Sequence, residues 1–140
     1  MRKIGVIVSG YFNPLHIGHL EYFKKSKTLG DFLFVIVNND LQRKLKGSKI
    51  FMNQDERVEI ISNLRLVDKT ILSIDKDKSV KKTIELIYNK YYQDFDLIFT
   101  NGGDQENTTS PEMDICKKLN IKIVDGMGKK IQSSSWLLKN

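Results

Sequence analysis

The chain has a single cysteine, which excludes an internal disulfide. Its surroundings, Asp114-Ile115-Cys116-Lys117-Lys118, suit a helix position and not a metal cluster. No apolar run approaches the roughly 20 residues that span a bilayer, and Met1-Arg2-Lys3 leads straight into a short strand. Neither a membrane segment nor a signal peptide is expected, and a reducing cytoplasm is. No Cys/His finger and no RNA-binding aromatic signature accompany the net charge of +6. The lysines are scattered and mixed with acids, so the charge suits small phosphorylated ligands better than nucleic acid. Internal repeats, linkers and low-complexity tails are also lacking. At 140 residues and 40% hydrophobic, the chain is expected to form one domain, residues 1–140.

What is present is an alternation of strand and helix signals. Strands are expected over residues 3–8, 32–37, 69–73, 97–100 and 122–124. Helices are expected over 15–28, 54–64, 80–91 and 111–119, with a short last helix beginning near Ser133. Gly30 is a candidate C-cap, and Asn53 with Glu56 has the spacing of a capping box. Residues 41–53 read as a lysine-rich connection, most flexible at Gly47. Strands separated by single helices predict an α/β fold, a Rossmann-like, doubly wound, five-stranded parallel sheet covered on both faces. Ligands of such sheets bind outside the carboxyl ends of the strands. Ser9-Gly10, Asn38-Asn39-Asp40, Asn101-Gly102-Gly103-Asp104 and Asp125-Gly126 all fall on that edge.

The most informative stretch is residues 8–19, Val-Ser-Gly-Tyr-Phe-Asn-Pro-Leu-His-Ile-Gly-His. Pro14 disfavours helix at Asn13, so the helix begins just beyond it and takes His16 and His19 into its first turn. At a spacing of three they share one side, where unpaired backbone N–H groups and the positive dipole end also point. Gly18 leaves room between them for close approach. The combination is an anion site suited to phosphate. A metal site would need a carboxylate or thiolate partner; Glu21 does not complete HExxH, and Cys116 is distant.

Gly10-Tyr11-Phe12-Asn13-Pro14-Leu15-His16-Ile17-Gly18-His19 resembles the signature of the HxGH-motif nucleotidyltransferases, among them glycerol-3-phosphate and ethanolamine-phosphate cytidylyltransferases and heptose-1-phosphate adenylyltransferases. The resemblance runs from Ile4 to Leu138 with the motifs in family order. It implies that His16 and His19 hold the triphosphate and stabilise the transition state, with the backbone of Gly10, Tyr11 and Phe12 alongside. Arg43-Lys44-Leu45-Lys46-Gly47 resembles the mobile segment in which one lysine bridges donor and acceptor phosphates. Lys46 matches best in the heptose branch, and Lys44 and Lys46 both match in the glycerol-phosphate branch. Glu56-Arg57 resembles the ER pair whose arginine lies near the nucleotide; a surface ion pair is the alternative. Gly102-Gly103-Asp104 resembles a GGD nucleotide segment, where a plain turn is the alternative. Ser133, Ser134 and Ser135 resemble a second phosphate site at the start of the last helix. Asn13 replaces an aspartate common in the cytidylyltransferases, and Gly128, followed by Lys129 and Lys130, stands where the glycerol-phosphate branch has arginine.

The reaction implied is attack of a phosphate oxygen on the α-phosphorus of a nucleoside triphosphate, releasing pyrophosphate, with Mg²⁺ bound through the triphosphate and no metal site on the protein. The acceptor is already anionic near neutrality, since its second pKa is about 6, so positioning and positive charge do most of the work. Size and general likeness favour CTP with a phosphorylated or phosphonate acceptor, while Lys46-Gly47 and the GGD lean toward ATP and a sugar phosphate. A homodimer is the assembly common among such proteins. A non-catalytic nucleotide-binding module would share these features without releasing pyrophosphate. The literal HIGH of class I aminoacyl-tRNA synthetases is present too, but a KMSKS-like loop is not.

Overall fold

A computed structural model describes residues 2–47, 49, 51–102 and 111–127. Five parallel strands, β1 (Lys3–Gly10), β2 (Phe32–Val37), β3 (Lys69–Leu72), β4 (Phe95–Gly102) and β5 (Lys122–Met127), form one sheet in the order β3-β2-β1-β4-β5. The chain winds outward from β1 through β2 to β3, then returns to the other side for β4 and β5. The strand order therefore reverses between β1 and β4, and a ligand crevice is expected outside their carboxyl ends.

Phe-Leu-Phe-Val-Ile-Val of β2 has no polar face because it is covered on both sides. Alternate residues divide between two cores. Ile7, Phe34, Ile36 and Phe99 pack with Ile84 and Ile87 of α4 (Lys81–Tyr91) and Cys116 of α5 (Pro111–Leu119). Val6, Val8, Leu33, Val35 and Val37 pack with Tyr22 and Phe23 of α1 (Ile17–Lys27) and Ile61 of α3 (Gln54–Ser62). Burial pushes the Cys116 thiol up to about 12, so it behaves as a small core hydrophobe. The doubly wound sheet expected from the sequence is thus present.

Four local expectations are corrected. Residues 41–53 are not simply a connection, because α2 (Asp40–Lys46) occupies their first half. Asn39 caps it through Gln42 N, the Gln42 side chain returns to Asn39 N, and Gly47 ends it at φ 80. The Asn53 box is half formed: its side chain accepts from Glu56 N at 2.9 Å, with no reciprocal bond. Gly30 is not the C-cap, which is Thr28. A Cβ on Gly30 would lie 2.7 Å from the Ile4 carbonyl oxygen, so its role is close approach to β1. Strands β1, β4 and β5 also run beyond the expected 3–8, 97–100 and 122–124, because ladder pairing continues into their polar ends.

Candidate active site

His16 is the N-cap of α1, in extended backbone, and the helix proper starts at Ile17. Its Nδ1 accepts from Gly18 N at 3.1 Å, and His19 Nδ1 accepts from His16 N at 3.1 Å. The pair forms a capping box built from imidazoles. The first-turn donors expected to be open are therefore partly committed: Gly18 N is taken by His16, and His19 N bonds the His16 carbonyl. For His16 the remaining donor is the far ring atom, Nε2. A ring whose Nδ1 accepts carries its proton on Nε2, an assignment that follows from the bonding. Burial holds the His16 pKa below its ordinary value, in keeping with a neutral ring. Its Nε2 is buried with no hydrogen-bond partner among the described residues. The two rings stack with centroids 3.8 Å apart and planes at 26°.

Phe12 locks this turn to the core. Its backbone is left-handed at φ 52, a strained conformation for a bulky residue, and its side chain is 1% exposed. The ring meets His19 edge-on at 4.9 Å and Phe23 at 5.4 Å. Glycine at position 10 follows, because a Cβ there would sit 2.8 Å from the Phe12 ring. Gly10 and Phe12 thus shape the loop, and Phe12 does not present its ring to a ligand.

Lys46, in the last turn of α2, holds its Nζ 4.5 Å above the Tyr11 ring, which brings it to the loop leaving β1. Lys44 is not brought there. Two residues along a helix is a rotation of about 200°, so Lys44 points away from the face that meets Tyr11. The Tyr11 pKa is raised, mainly by burial and further by Glu112, against the pull of Arg57 and Arg43.

Arg57 is neither a surface ion pair nor open to a nucleotide, being 0% exposed. It donates to Met52 O at 3.1 Å, Tyr11 O at 2.8 Å, Asn38 O at 2.7 Å and Asp40 Oδ1 at 2.7 Å, using four of the five N–H groups of a guanidinium. It joins the exits of β1 and β2 to the starts of α2 and α3. Two further residues share this scaffold. Asn13, 2% exposed, donates to Lys49 O at 2.7 Å and accepts from Phe51 N at 3.1 Å and Met52 N at 2.8 Å. Arg43, fully buried, donates to the same Lys49 carbonyl at 2.7 Å, while its Nη2 lies 3.8 Å from Asp40 Oδ1. Burial first, then Arg57, lowers the Arg43 pKa. In sequence Arg43 is hidden within a basic run; the Asn39-x-x-Gln42 cap was the available clue that this run is helical.

Across the reversal point, Gly102 ends β4, and Asn101 donates to Asp125 Oδ1 of β5 at 2.7 Å. Gly103, Asp104, Ser133, Ser134 and Ser135 lie outside the described residues. Among the described residues, no three His, Cys, Asp or Glu side chains gather as a metal site.

The family model described as cytidylyltransferase-like matches residues 7–130, a span that includes His16, His19, Lys46 and Arg57. The chain belongs to the cytidylyltransferase-like family. Within it, a FAD synthase of Picrophilus torridus is 32% identical over 116 residues, covering 83% of this chain and 77% of its own length. The bifunctional protein HldE of Aliarcobacter butzleri is 34% identical over 128 residues, 89% of this chain but 25% of HldE. Among solved structures, the lipopolysaccharide core biosynthesis protein from Thermoplasma volcanium GSS1 aligns with a TM-score of 0.71 at 32% identity, covering 91% of this chain and 99% of that one. Membership makes this chain a nucleotidyltransferase-family protein, in agreement with the HxGH resemblance. No helix among the described residues is long and apolar enough to cross a membrane.

Proposed function

We propose that the chain is an adenylyltransferase that moves AMP from ATP to the phosphate of FMN, giving FAD and pyrophosphate. The observation that carries the transfer chemistry is the stacked imidazole pair, held by its Nδ1 capping bonds at the loop that leaves β1, beside the sheet's reversal point. The FMN phosphate oxygen forms a bond to the α-phosphorus, and the bond from that phosphorus to the β-bridging oxygen breaks. The electron pair leaves with pyrophosphate. Charge grows on the α-phosphate oxygens and the leaving oxygen, where His16 and His19 donate and Lys46 adds positive charge. Each hydrogen bond to so charged an acceptor contributes roughly 1.5–3 kcal/mol. Mg²⁺ bound with the triphosphate would supply further positive charge around the leaving pyrophosphate.

ATP rather than CTP has the support of the relatives' names, since FAD is FMN joined to an adenylyl group. The preference for CTP rested on size and general likeness, and neither that nucleotide nor a phosphonate acceptor is named for these relatives. The test is a pyrophosphate-release panel of ATP, CTP, GTP and UTP against FMN, glycerol 3-phosphate and a sugar 1-phosphate. Release with ATP and FMN, and a flavin product heavier by one adenylyl group, supports the proposal. A faster CTP reaction, or preference for another acceptor, overturns it.

A further inference from the structure

Lys46 reaches the phosphate loop from the end of a seven-residue helix, and so short a helix has little stability of its own. Something must therefore hold that end in place. The chain just beyond it is gripped at one atom by two buried side chains: the Lys49 carbonyl oxygen accepts from Asn13 Nδ2 and from Arg43 Nη1, both at 2.7 Å. Asn13 belongs to the loop leaving β1, and Arg43 to α2 itself, one turn before Lys46. The single carbonyl thus ties the lysine helix to the histidine loop. Asn13 Oδ1 extends the grip to Phe51 N and Met52 N, and Arg57 closes it from the other side through Tyr11 O and Met52 O.

The chemistry of position 13 is restrictive. It must donate to a carbonyl with one terminal atom and accept from two amides with the other. An asparagine amide does both, whereas a carboxylate only accepts and would face the Lys49 carbonyl with like charge. Arg43 is equally specific. Its Nη1 is spent on Lys49, and its Nε and Nη2 make no hydrogen bond among the described residues, an arrangement that is costly for a buried guanidinium and gives the Lys49 bond added weight.

We propose that Asn13 and Arg43 form a latch on the Lys49 carbonyl that sets the position of Lys46 over the triphosphate. Both are positioning residues for the transfer step, and asparagine rather than aspartate is what the latch requires. For the role of Lys46 this rests on the adenylyl-transfer reading above.

The test is a double-mutant cycle. Asn13→Asp keeps acceptors for Phe51 N and Met52 N but loses the donor to Lys49. It should lower kcat by about tenfold to a hundredfold while the KM for FMN changes little, as expected when a reacting group is misplaced. In a Lys46→Ala background the same substitution should change kcat by no more than about twofold, because there is no lysine left to misplace. Arg43→Met should repeat the loss, and Arg43→Lys, which retains a cationic donor, should recover part of it. Equal losses from Asn13→Asp with and without Lys46 overturn the latch, as does an Arg43→Lys variant no better than Arg43→Met. Hydrogen exchange at the β2 amides checks folding. If Asn13→Asp loosens β2, Arg43→Met takes its place in the cycle, since it removes the other donor to the same carbonyl. If the unaltered chain releases no pyrophosphate with any pair, the adenylyl-transfer reading falls. The cycle is then run on ATP affinity, where additivity again overturns the latch.

Discussion

The histidine turn and the lysine helix meet at the loop leaving β1, yet they are held there in opposite ways. At the turn, the contacts described above that orient the two rings are local: His16 to Gly18, His19 to His16, and Phe12 against His19. At the lysine helix, orientation comes from far along the chain, with Arg57 bonding Tyr11 and Asn13 bonding Lys49 and Met52. The first region can be built by a few residues and a helix start. The second exists only once β1, β2, α2 and α3 have come together, and its supports are buried charges and amides instead of caps. Preorganised donors are thus obtained at two different costs: a small one in local backbone bonds, and a larger one in desolvated guanidinium groups.

The sharpest way to break this comparison is to remove the local half. A His16→Ala, His19→Ala double variant should lose at least about 10³-fold in pyrophosphate release, since one oriented donor is commonly worth 10² to 10³. Turnover surviving intact would remove the imidazoles from the mechanism. Removing the long-range half should be visible first in stability. Arg57→Met leaves Asp40 without its closest cation and three carbonyls without a donor, and should cost about 3–5 kcal/mol in urea unfolding. A loss below about 1 kcal/mol would mean that the crossing of β1, β2 and α2 does not depend on it.

The two lysines of α2 sharpen the contrast. Lys46→Ala should lower kcat by about 10²-fold and leave stability within about 0.5 kcal/mol, while Lys44→Ala, on the outward face, should change neither measurably. Equal effects would indicate that the helix face does not select between them.

The smallest effect expected is on pH. Burial holds the His16 pKa below its unfolded value, so as pH falls the unfolded chain takes up the proton first. The stability contributed by the neutral ring is complete above the unfolded value of about 6.5. It is lost as pH falls through that value and on toward the folded one. His16→Asn keeps a capping oxygen without a proton to take up, so its denaturant midpoint should lose less between pH 7.5 and pH 5.5. Identical slopes for the two chains would show that the His16 ring is not held neutral.

How much of this is visible in one sequence follows the same division. The alternation of apolar runs with helical spacing shows the doubly wound sheet, and the HxGH spacing shows the histidine turn, because both depend on neighbours within a few residues. Even there the sequence suggests open backbone donors, whereas the imidazoles themselves occupy some of them. Arg57 reads equally well as a nucleotide contact or a surface ion pair and is neither, because its burial depends on where α3 docks. Arg43, within a run of lysines, carries no mark of being buried. Asn13 stands out only as a departure from aspartate, and its purpose needs the backbone of residues 49–52 beside it.

By itself, then, the sequence determined the sheet, its doubly wound form and the placing of the two histidines at the start of α1, though His16 is its N-cap and not part of its first turn, since periodicity and capping are local physics. Tertiary structure decided which of two neighbouring lysines meets the loop, which two arginines are buried, and why position 13 is an amide. Those choices depend on the partners that burial brings together, and such partners lie dozens of residues apart in the chain.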